Sequence, residues 1–377
     1  MIQLPEPSTG YQLLPWESMD LPLPKAGVDY PKISIVTPSF NQGQFIEQTI
    51  RSVLLQNYPN LDLIIIDGGS TDQSVEIISK YEKWITFWVS EKDKGQSDAL
   101  NKGLEKCSGK IFNWLNSDDY LEKGALLEVG ELFSKYPDAS MVCGYCQIFE
   151  GDKTLYKYRT QVAASAEKTF IENKYNQPSS YYNLDKLRKV LPVDCDLRYC
   201  MDLDLWYSFI ACFGIKEFIF SDSVYSHFRC HPGSKSLSET EKFMTDIRSL
   251  FYSVFLACNP SPKLLAYFEN APRNTKYSRN WNLGVLDRKE LLKYATYWLT
   301  TYIRKNLKVV DIFTIVNQLE KQGVFKNTSE RLKVLLNLLI EKETKMRLLR
   351  GFLPLLFFLP RIKSRLYRKY LIFDVHK

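Results

Sequence analysis

Oxygen-bearing side chains cluster at residues 116–119, where Asn-Ser-Asp-Asp directly follows an apolar run that ends at Leu115. A tight turn with two or three such oxygens can hold a hard divalent cation together with substrate phosphates. The alternative is a helix N-cap formed by Asp119, because a helix is predicted to start near Leu121. The pattern alone predicts either a metal site or a cap.

A second polar loop, Asp-Gly-Gly-Ser-Thr-Asp, occupies residues 67–72. Its glycines leave room for a ligand beside bare backbone, while Ser70 or Asp72 can cap the next helix. The alternative is an ordinary turn between strand and helix. A phosphate-binding P-loop is excluded because no Gly-Lys-Ser/Thr follows.

Two further spacings suggest chemistry that the local sequence disfavours. Cys143 and Cys146 have the spacing of a redox pair, but both fall inside a predicted strand rather than at a helix start. His227 and His231 are four residues apart, as on a zinc-binding helix, but Pro232 prevents a long helix through the pair. The eight cysteines are therefore predicted to be reduced and mostly buried.

The elements that must position these residues alternate along the first third of the chain. Apolar strands are predicted at 33–37, 61–66, 85–89 and 110–115, with helices between them. A polar loop follows each strand, at 38–41, 67–72, 91–96 and 116–119. This alternation predicts an α/β fold with a mostly parallel, Rossmann-like sheet flanked by helices, whose ligands bind at the carboxyl ends of the strands.

The chain of 377 residues is long enough for a principal domain and a second module. We expect a Pro-rich extension at 1–30, held to the body by Trp16, and an α/β domain at 31–238. A helical C-terminal module is predicted at 239–377 from its Leu-, Lys- and Tyr-rich composition.

The net charge of +7 resides in the last part of the chain, because residues 341–377 carry ten basic and three acidic side chains. The balanced remainder predicts no nucleic-acid partner. Within this tail, the apolar residues 352–359 lie between basic clusters, which suits the surface of an anionic membrane or, alternatively, a helix packed on the body. The absence of a signal-like or membrane-spanning pattern predicts a cytoplasmic protein, peripheral at the inner face of the plasma membrane if the tail binds lipid.

Four segments together resemble the family 2 inverting glycosyltransferases of the GT-A fold. They are Val-Thr-Pro-Ser-Phe-Asn at 36–41, Ile-Asp-Gly-Gly-Ser-Thr-Asp at 66–72, residues 91–103, and Trp-Leu-Asn-Ser-Asp-Asp at 114–119. The resemblance covers residues 31–235. It implies a nucleoside diphosphate sugar donor, with UDP as the first expectation, and Mn²⁺ or Mg²⁺ between the diphosphate and the protein.

The resemblance also assigns the donor side of the site. The implied donor-binding residues are Thr37, Pro38, Ser39, Asn41, Asp67, Gly68, Asp93, Asp98 and Asn116. Asp118 is the implied main metal ligand, and His231 either joins it or is a structural histidine. The chain departs from the family pattern at Gly68 and Asn116, where many members have Asp.

On the acceptor side, residues 200–206 resemble the motif whose first carboxylate is the general base, which is Asp202 here. Asp204 would orient the acceptor. The alternative is that Asp202 and Asp204 both cap the helix. Gln177 and Ser179 would contact the acceptor or form a plain turn. The implied reaction is inverting sugar transfer to a hydroxyl of a glycan or glycolipid, as in cell-surface polysaccharide synthesis. The alternatives are a nucleotide-sugar-binding scaffold without turnover and a dehalogenase-type phosphatase, which Trp206 disfavours.

Overall fold

In the computed structural model, which describes residues 3–172, 174–233, 239–303 and 307–342, one nine-stranded mixed sheet is flanked by helices. The strands are β1 (Ile33–Ser39), β2 (Leu61–Asp67), β3 (Phe87–Ser90), β4 (Ile111–Trp114), β5 (Tyr120–Leu121), β6 (Met141–Glu150), β7 (Lys153–Arg159), β8 (Ser180–Asn183) and β9 (Phe218–Arg229). Their order is β3-β2-β1-β4-β8-β6-β9-β5, and β7 pairs with β6. The predicted α/β class is confirmed.

The helices follow the predicted alternation in the first half of the chain. They are α1 (Ile46–Leu54), α2 (Ser74–Lys80), α3 (Gln96–Lys106), α4 (Ala125–Lys135), α5 (Ala166–Glu172), α6 (Leu184–Leu187), α7 (Met201–Phe213), α8 (Thr240–Ala257), α9 (Pro262–Leu265), α10 (Arg288–Ile303), α11 (Val309–Lys321) and α12 (Thr328–Lys342). Among these described helices, none combines the length and the apolarity that crossing a bilayer requires.

The half of the sheet that holds the four predicted strands is entirely parallel. Strands β1, β2 and β4 are buried on both faces, whereas β3 at the sheet edge is only partly buried. Ile64, Ile65 and Ile66 of β2 are 0% exposed, which explains their continuous apolar sequence. Ser39 pairs with Asp67, which in turn pairs with Ser90. The loops after β1, β2 and β3 therefore start at the same level of the sheet edge.

The N-terminal extension is anchored to the body as predicted. Trp16 is 2% exposed and packs in one apolar cluster with Tyr120 and Phe149. Next to it, the Glu17 carboxylate forms an ion pair of 2.5 Å with the Arg51 guanidinium of α1. The extension thus adds an apolar and an ionic contact to the domain.

The chain divides into two compact units, residues 1–299 and 300–377. The predicted boundary after residue 238 falls inside the first unit, because helix α8 and the segment after it bond to the residues around α7. The predicted membrane-binding residues 352–359 lie outside the described part of the chain. The functional division into domains stays a prediction.

Candidate active site

The loops after β1 and β2 are bound to each other by polar contacts. Asp67 is 0% exposed, and its carboxylate accepts hydrogen bonds from the Ser70 N–H (2.8 Å), the Ser70 hydroxyl (2.5 Å), the Gly69 N–H (3.1 Å) and the Ser90 hydroxyl (2.7 Å). Asn41 connects the two loops, since its N–H donates to the Ser70 hydroxyl at 2.7 Å. Asp67 therefore shapes the predicted nucleoside side of the site from within the loop.

The predicted donor residues of β1 line the end of that strand. Pro38 is buried, and Thr37 and Ser39 are 1% and 4% exposed. The hydroxyls of Thr37 and Ser39 are buried and have no hydrogen-bond partner among the described residues. These three residues form the floor of the strand-end loops.

Gly68 allows a carboxylate to approach the backbone closely. A Cβ atom at this position would lie 2.8 Å from Asp93 Oδ2, which is closer than such contacts normally occur. Asp93 Oδ1 also accepts the Gly95 N–H at 2.8 Å, and Asp98 accepts the Lys94 N–H at 3.1 Å. The glycine that departs from the family pattern thus makes room for Asp93.

The loop after β4 brings Asp118 and His231 together. The distance between Asp118 Oδ2 and His231 Nε2 is 3.0 Å, and the two side chains are 22% and 14% exposed. The imidazole packs on the Phe45 ring at 4.9 Å between centroids. Asn116 lies beside this pair and accepts a hydrogen bond of 2.8 Å from Gln96 Nε2 of α3.

Arg229 holds the backbone of this loop in place. Its N–H donates to Asp119 Oδ1 at 2.9 Å, and its guanidinium Nε donates to the Asp118 carbonyl at 2.9 Å. The guanidinium lies over the rings of Phe45 and Phe149, 4.6 and 4.7 Å from their centroids. The position of the Asp118 carboxylate therefore depends on β9.

Asp119 is not the N-cap that one interpretation of the sequence required. The chain enters strand β5 at Tyr120, and helix α4 starts only at Ala125. Asp119 is 1% exposed, and burial together with the Asp118 charge raises its pKa well above the usual range. Its Oδ2 atom has no hydrogen-bond partner in the described part of the chain.

A carboxylate and an imidazole at hydrogen-bond distance, with the Asn116 amide oxygen beside them, are donors that can bind a divalent cation. No group of three His, Cys, Asp or Glu side chains close enough to hold a metal exists among the described residues. A cation bound by Asp118 and His231 would thus keep positions for substrate phosphate oxygens and water. The residues fit the predicted Mn²⁺ or Mg²⁺ when it binds together with a nucleotide.

His227 and the cysteine pair belong to the fold. His227 Nε2 lies 2.9 Å from Glu122 Oε2, and its ring stacks on Tyr120 at 4.4 Å. Cys143 and Cys146 lie in β6 as free thiols, and burial raises the pKa of each to about 12. These contacts agree with the expectation that neither pair carries redox or zinc-protease chemistry.

Asp202 lies in the first turn of α7 within an aromatic environment. Burial raises its pKa to about 6, although the backbone N–H of Leu203 acts in the opposite direction. The Asp202 charge contributes, after burial, to the raised pKa of both Tyr158 and Tyr175. Tyr175 in turn stacks on Trp206 of the same helix at 4.9 Å.

Tyr158 connects the two halves of the site. Burial and then the charges of nearby groups, which include Asp202 and Asp119, raise its pKa. The loop after β4, residues 116–119 (the metal loop), and the predicted base Asp202 therefore both lie within electrostatic reach of Tyr158. Neither Tyr158 nor Arg229 was among the predicted site residues, because their only signal in the sequence is a place near the ends of β7 and β9.

The other predicted acceptor-side residues are buried. Asp204 is 0% exposed, accepts a hydrogen bond of 2.6 Å from the Tyr277 hydroxyl and forms an ion pair with Arg279. Ser179 is 0% exposed, and its hydroxyl contacts the Ser226 hydroxyl at 2.5 Å. A contact of either side chain with an acceptor does not fit these environments.

Gln177 is the third of these residues, and it supports β4 instead. The side chain is 7% exposed, and its amide donates to the Trp114 carbonyl at 2.6 Å. Since Trp114 is the last residue of β4, Gln177 fixes the start of the loop that carries Asp118. Its role in this structure is to position the metal loop.

Comparison with known proteins shows what residues 34–196 are similar to. Residues 34–196 match the model described as Glycosyl transferase family 2. An uncharacterized glycosyltransferase of Rickettsia prowazekii is 26% identical over 230 residues, which are 58% of this chain and 71% of that protein. The putative teichuronic acid biosynthesis glycosyltransferase TuaG of Bacillus subtilis is 34% identical over 131 residues, 34% of this chain and 52% of the relative. Residues 1–349 of S. aureus TarS superpose with a TM-score of 0.49 at 15% identity, over 83% of this chain and 90% of that one.

Proposed function

Because residues 34–196 belong to glycosyl transferase family 2, we propose that this glycosyltransferase moves a sugar from a nucleoside diphosphate donor to an acceptor hydroxyl with inversion and with help from a divalent cation. The acceptor is a glycan or a glycolipid of cell-surface polysaccharide type. UDP is the first nucleotide to test. The pairing of Asp118 with His231 and the environment of Asp202 support this mechanism.

The proposal rests mainly on the position, the hydrogen bonding and the pKa of the Asp202 carboxylate. It lies at the start of a helix, has no hydrogen bond from another side chain among the described residues, and has a pKa of about 6 because of burial. An inverting displacement needs a base within reach of the acceptor hydroxyl, on the face opposite the leaving group. A carboxylate with this pKa is ionised at neutral pH and more basic than an exposed one.

On the donor side, the chain supplies positioned ligands. Asp118 and His231 would hold the cation, and Arg229 keeps the Asp118 backbone fixed through its guanidinium. The bound cation would neutralise the negative charge that develops on the leaving diphosphate. Asp202 accepts the proton of the acceptor hydroxyl as the new glycosidic bond forms and the bond to the diphosphate breaks.

Calorimetry tests the donor site. UDP, GDP and dTDP are titrated into the wild type and Asp118→Ala, each with and without Mn²⁺. We expect one nucleotide to bind with a strong dependence on Mn²⁺ that Asp118→Ala removes. Equal binding by wild type and variant would contradict the assignment of Asp118.

Transfer assays test the chemistry and the base. With a labelled donor and a panel of glycan and lipid-linked acceptors, the turnover rate should rise with pH through about 6, the pKa of Asp202. Product anomers determined by NMR should show inversion. Nucleotide binding without hydrolysis or transfer to any acceptor would instead favour the scaffold without turnover.

We also propose that the protein is cytoplasmic and that its basic tail holds it at anionic membrane surfaces. The ten basic residues among 341–377 and the apolar stretch 352–359 support this. Co-sedimentation with vesicles containing phosphatidylglycerol should fall at high salt and on removal of residues 345–377. Equal binding by the truncated protein would refute it.

A further inference from the structure

A cavity of about 140 Å³ lies between the loop after β3 and the segment that leads into α7. Lys94 and Gln96 contribute one wall, and Cys195, Arg198 and Tyr199 contribute the other. This volume is below the roughly 300–1,000 Å³ of sites that enclose a whole drug-sized ligand, so the cavity suits one small group of a larger molecule. Asp118 and His231 do not line the cavity, and neither do the loops after β1 and β2.

The cavity adjoins both halves of the candidate active site. Gln96 of its first wall donates a hydrogen bond of 2.8 Å to Asn116 of the metal loop. Arg198 of its second wall lies in the non-helical segment four residues before the predicted base Asp202. A group bound in the cavity would therefore lie next to the place where sugar transfer is proposed.

Two of the side chains that line the cavity are positively charged. Lys94 and Arg198 are both exposed, and no acidic side chain lines the cavity. Neither cation forms an ion pair with any residue in the described ranges, whereas Lys102 nearby pairs with Glu91 at 2.7 Å. Two unpaired cations facing one cavity favour an anionic ligand.

The second wall is fixed by contacts outside the cavity. The Asp246 carboxylate of α8 accepts the backbone N–H groups of Arg198 at 2.8 Å and of Tyr199 at 3.0 Å. The Tyr199 hydroxyl donates to Glu239. The backbone is thus held while the Arg198 side chain stays available to a ligand.

We propose that this cavity binds an anionic group of the acceptor, a phosphate or a carboxylate, and that Lys94 and Arg198 recognise it. The inference rests on the proposed transferase function and specifies its acceptor class. The donor diphosphate is the competing source of negative charge. The cation that would accompany the donor diphosphate is assigned to Asp118 and His231, and neither of these residues lines the cavity.

Cys195 provides a direct probe, because its thiol is exposed in the cavity wall. The full-length chain is alkylated with N-ethylmaleimide, and modification of Cys195 is followed by mass spectrometry at constant ionic strength. The ligands are glucose 6-phosphate, glucuronic acid and, as the neutral match, glucose. We expect both anions, but not glucose, to slow the modification of Cys195.

Variants assign the effect to the two cations. Arg198→Gln and Lys94→Gln should each weaken the protection about tenfold, the loss expected for one charge-assisted hydrogen bond. Lys92→Gln removes a charge from the same loop outside the cavity and should leave protection unchanged. Equal protection by glucose, or protection that survives in both cavity variants, would overturn the proposal.

A second arm separates the two sources of negative charge. UDP with Mn²⁺ is tested in the same alkylation assay on the wild type and Asp118→Ala. Protection by UDP that Asp118→Ala removes, with none from the sugar acids, would assign the cavity to the donor and overturn the inference. Failure of the proposed function appears separately, as loss of metal-dependent nucleotide binding in calorimetry.

Discussion

Asp202→Asn should abolish transfer and nevertheless stabilise the protein at neutral pH. Burial raises the pKa of Asp202 from 3.8 to about 6, so the ionised carboxylate is less stable in the folded protein than in the unfolded chain. A shift of about two units corresponds to about 3 kcal/mol. The side chain is partly exposed, which reduces the expected gain from the neutral amide to about 1–3 kcal/mol.

The effect has a defined pH window. Because the folded-state pKa lies above the unfolded one, the wild type has no penalty below pH about 4, loses stability between about 4 and 6, and is constant above that. Asp202→Asn lacks this dependence. Its melting temperature should exceed that of the wild type by about a few degrees at pH 7.5 and by almost nothing at pH 4.

Asp204→Asn is the matched control, two residues along the same helix. The Asp204 carboxylate pairs with Arg279, whose side chain is only 13% exposed, and accepts a hydrogen bond from Tyr277. The variant leaves a buried guanidinium without its counter-ion and should lose about 3–5 kcal/mol of stability. Burial raises the pKa of Asp204 to about 6 as well, so the expected difference between the two variants comes from the Arg279 guanidinium left without its counter-ion.

Three assays test these predictions. Thermal denaturation at pH 4 and pH 7.5 measures stability, transfer from a labelled donor measures turnover, and calorimetry measures nucleotide affinity. For Asp202→Asn we expect turnover to fall about 10²- to 10⁴-fold with unchanged nucleotide affinity. A lower melting temperature than the wild type at pH 7.5 would refute the reasoning about burial. Retained turnover would refute the role of Asp202 as the base.

Three further substitutions, with His227→Ala as a control, test the donor side by Mn²⁺-dependent nucleotide calorimetry. His231→Ala removes a proposed ligand and should weaken binding about tenfold, whereas His227→Ala should leave it unchanged; equal effects would contradict the ligand assignment. Gly68→Ala places a Cβ 2.8 Å from Asp93 Oδ2 and should lower nucleotide affinity by displacing that carboxylate, so unaltered affinity would exclude Asp93 from the site. Arg229→Gln loosens the metal loop and should lower both affinity and melting temperature; a drop in melting temperature alone would limit Arg229 to the fold.

The parallel half of the sheet and its strand-end loops are predictable because their signals are local. A strand buried on both faces needs a continuous apolar run, and a polar cluster directly after such a run must lie at the sheet edge. The place of Asp118 in a loop directly after a buried strand was predicted in this way. The N-cap interpretation of Asp119 failed because strand β5 needs a partner, and β9, which provides it, starts about a hundred residues later.

The acceptor side was less predictable because its contacts join distant parts of the chain. Asp202 and Asp204 are two residues apart on a helix and so point to different sides, but a motif does not show which side is buried. The partners of Asp204 follow it by 73 and 75 residues. Ser179 resembles an acceptor contact in sequence, yet its burial depends on Ser226 in β9.

The position of the proposed base depends on residues beyond the family match, which ends at residue 196. Asp246 of α8 holds the backbone just before α7, and Arg279 holds Asp204 inside it. The donor loops, in contrast, lie entirely within the matched residues. Residues 34–196 therefore hold the donor loops, whereas the contacts that fix Asp202 come from residues after the match, so we expect donor chemistry to follow the match and acceptor choice to follow the later segment.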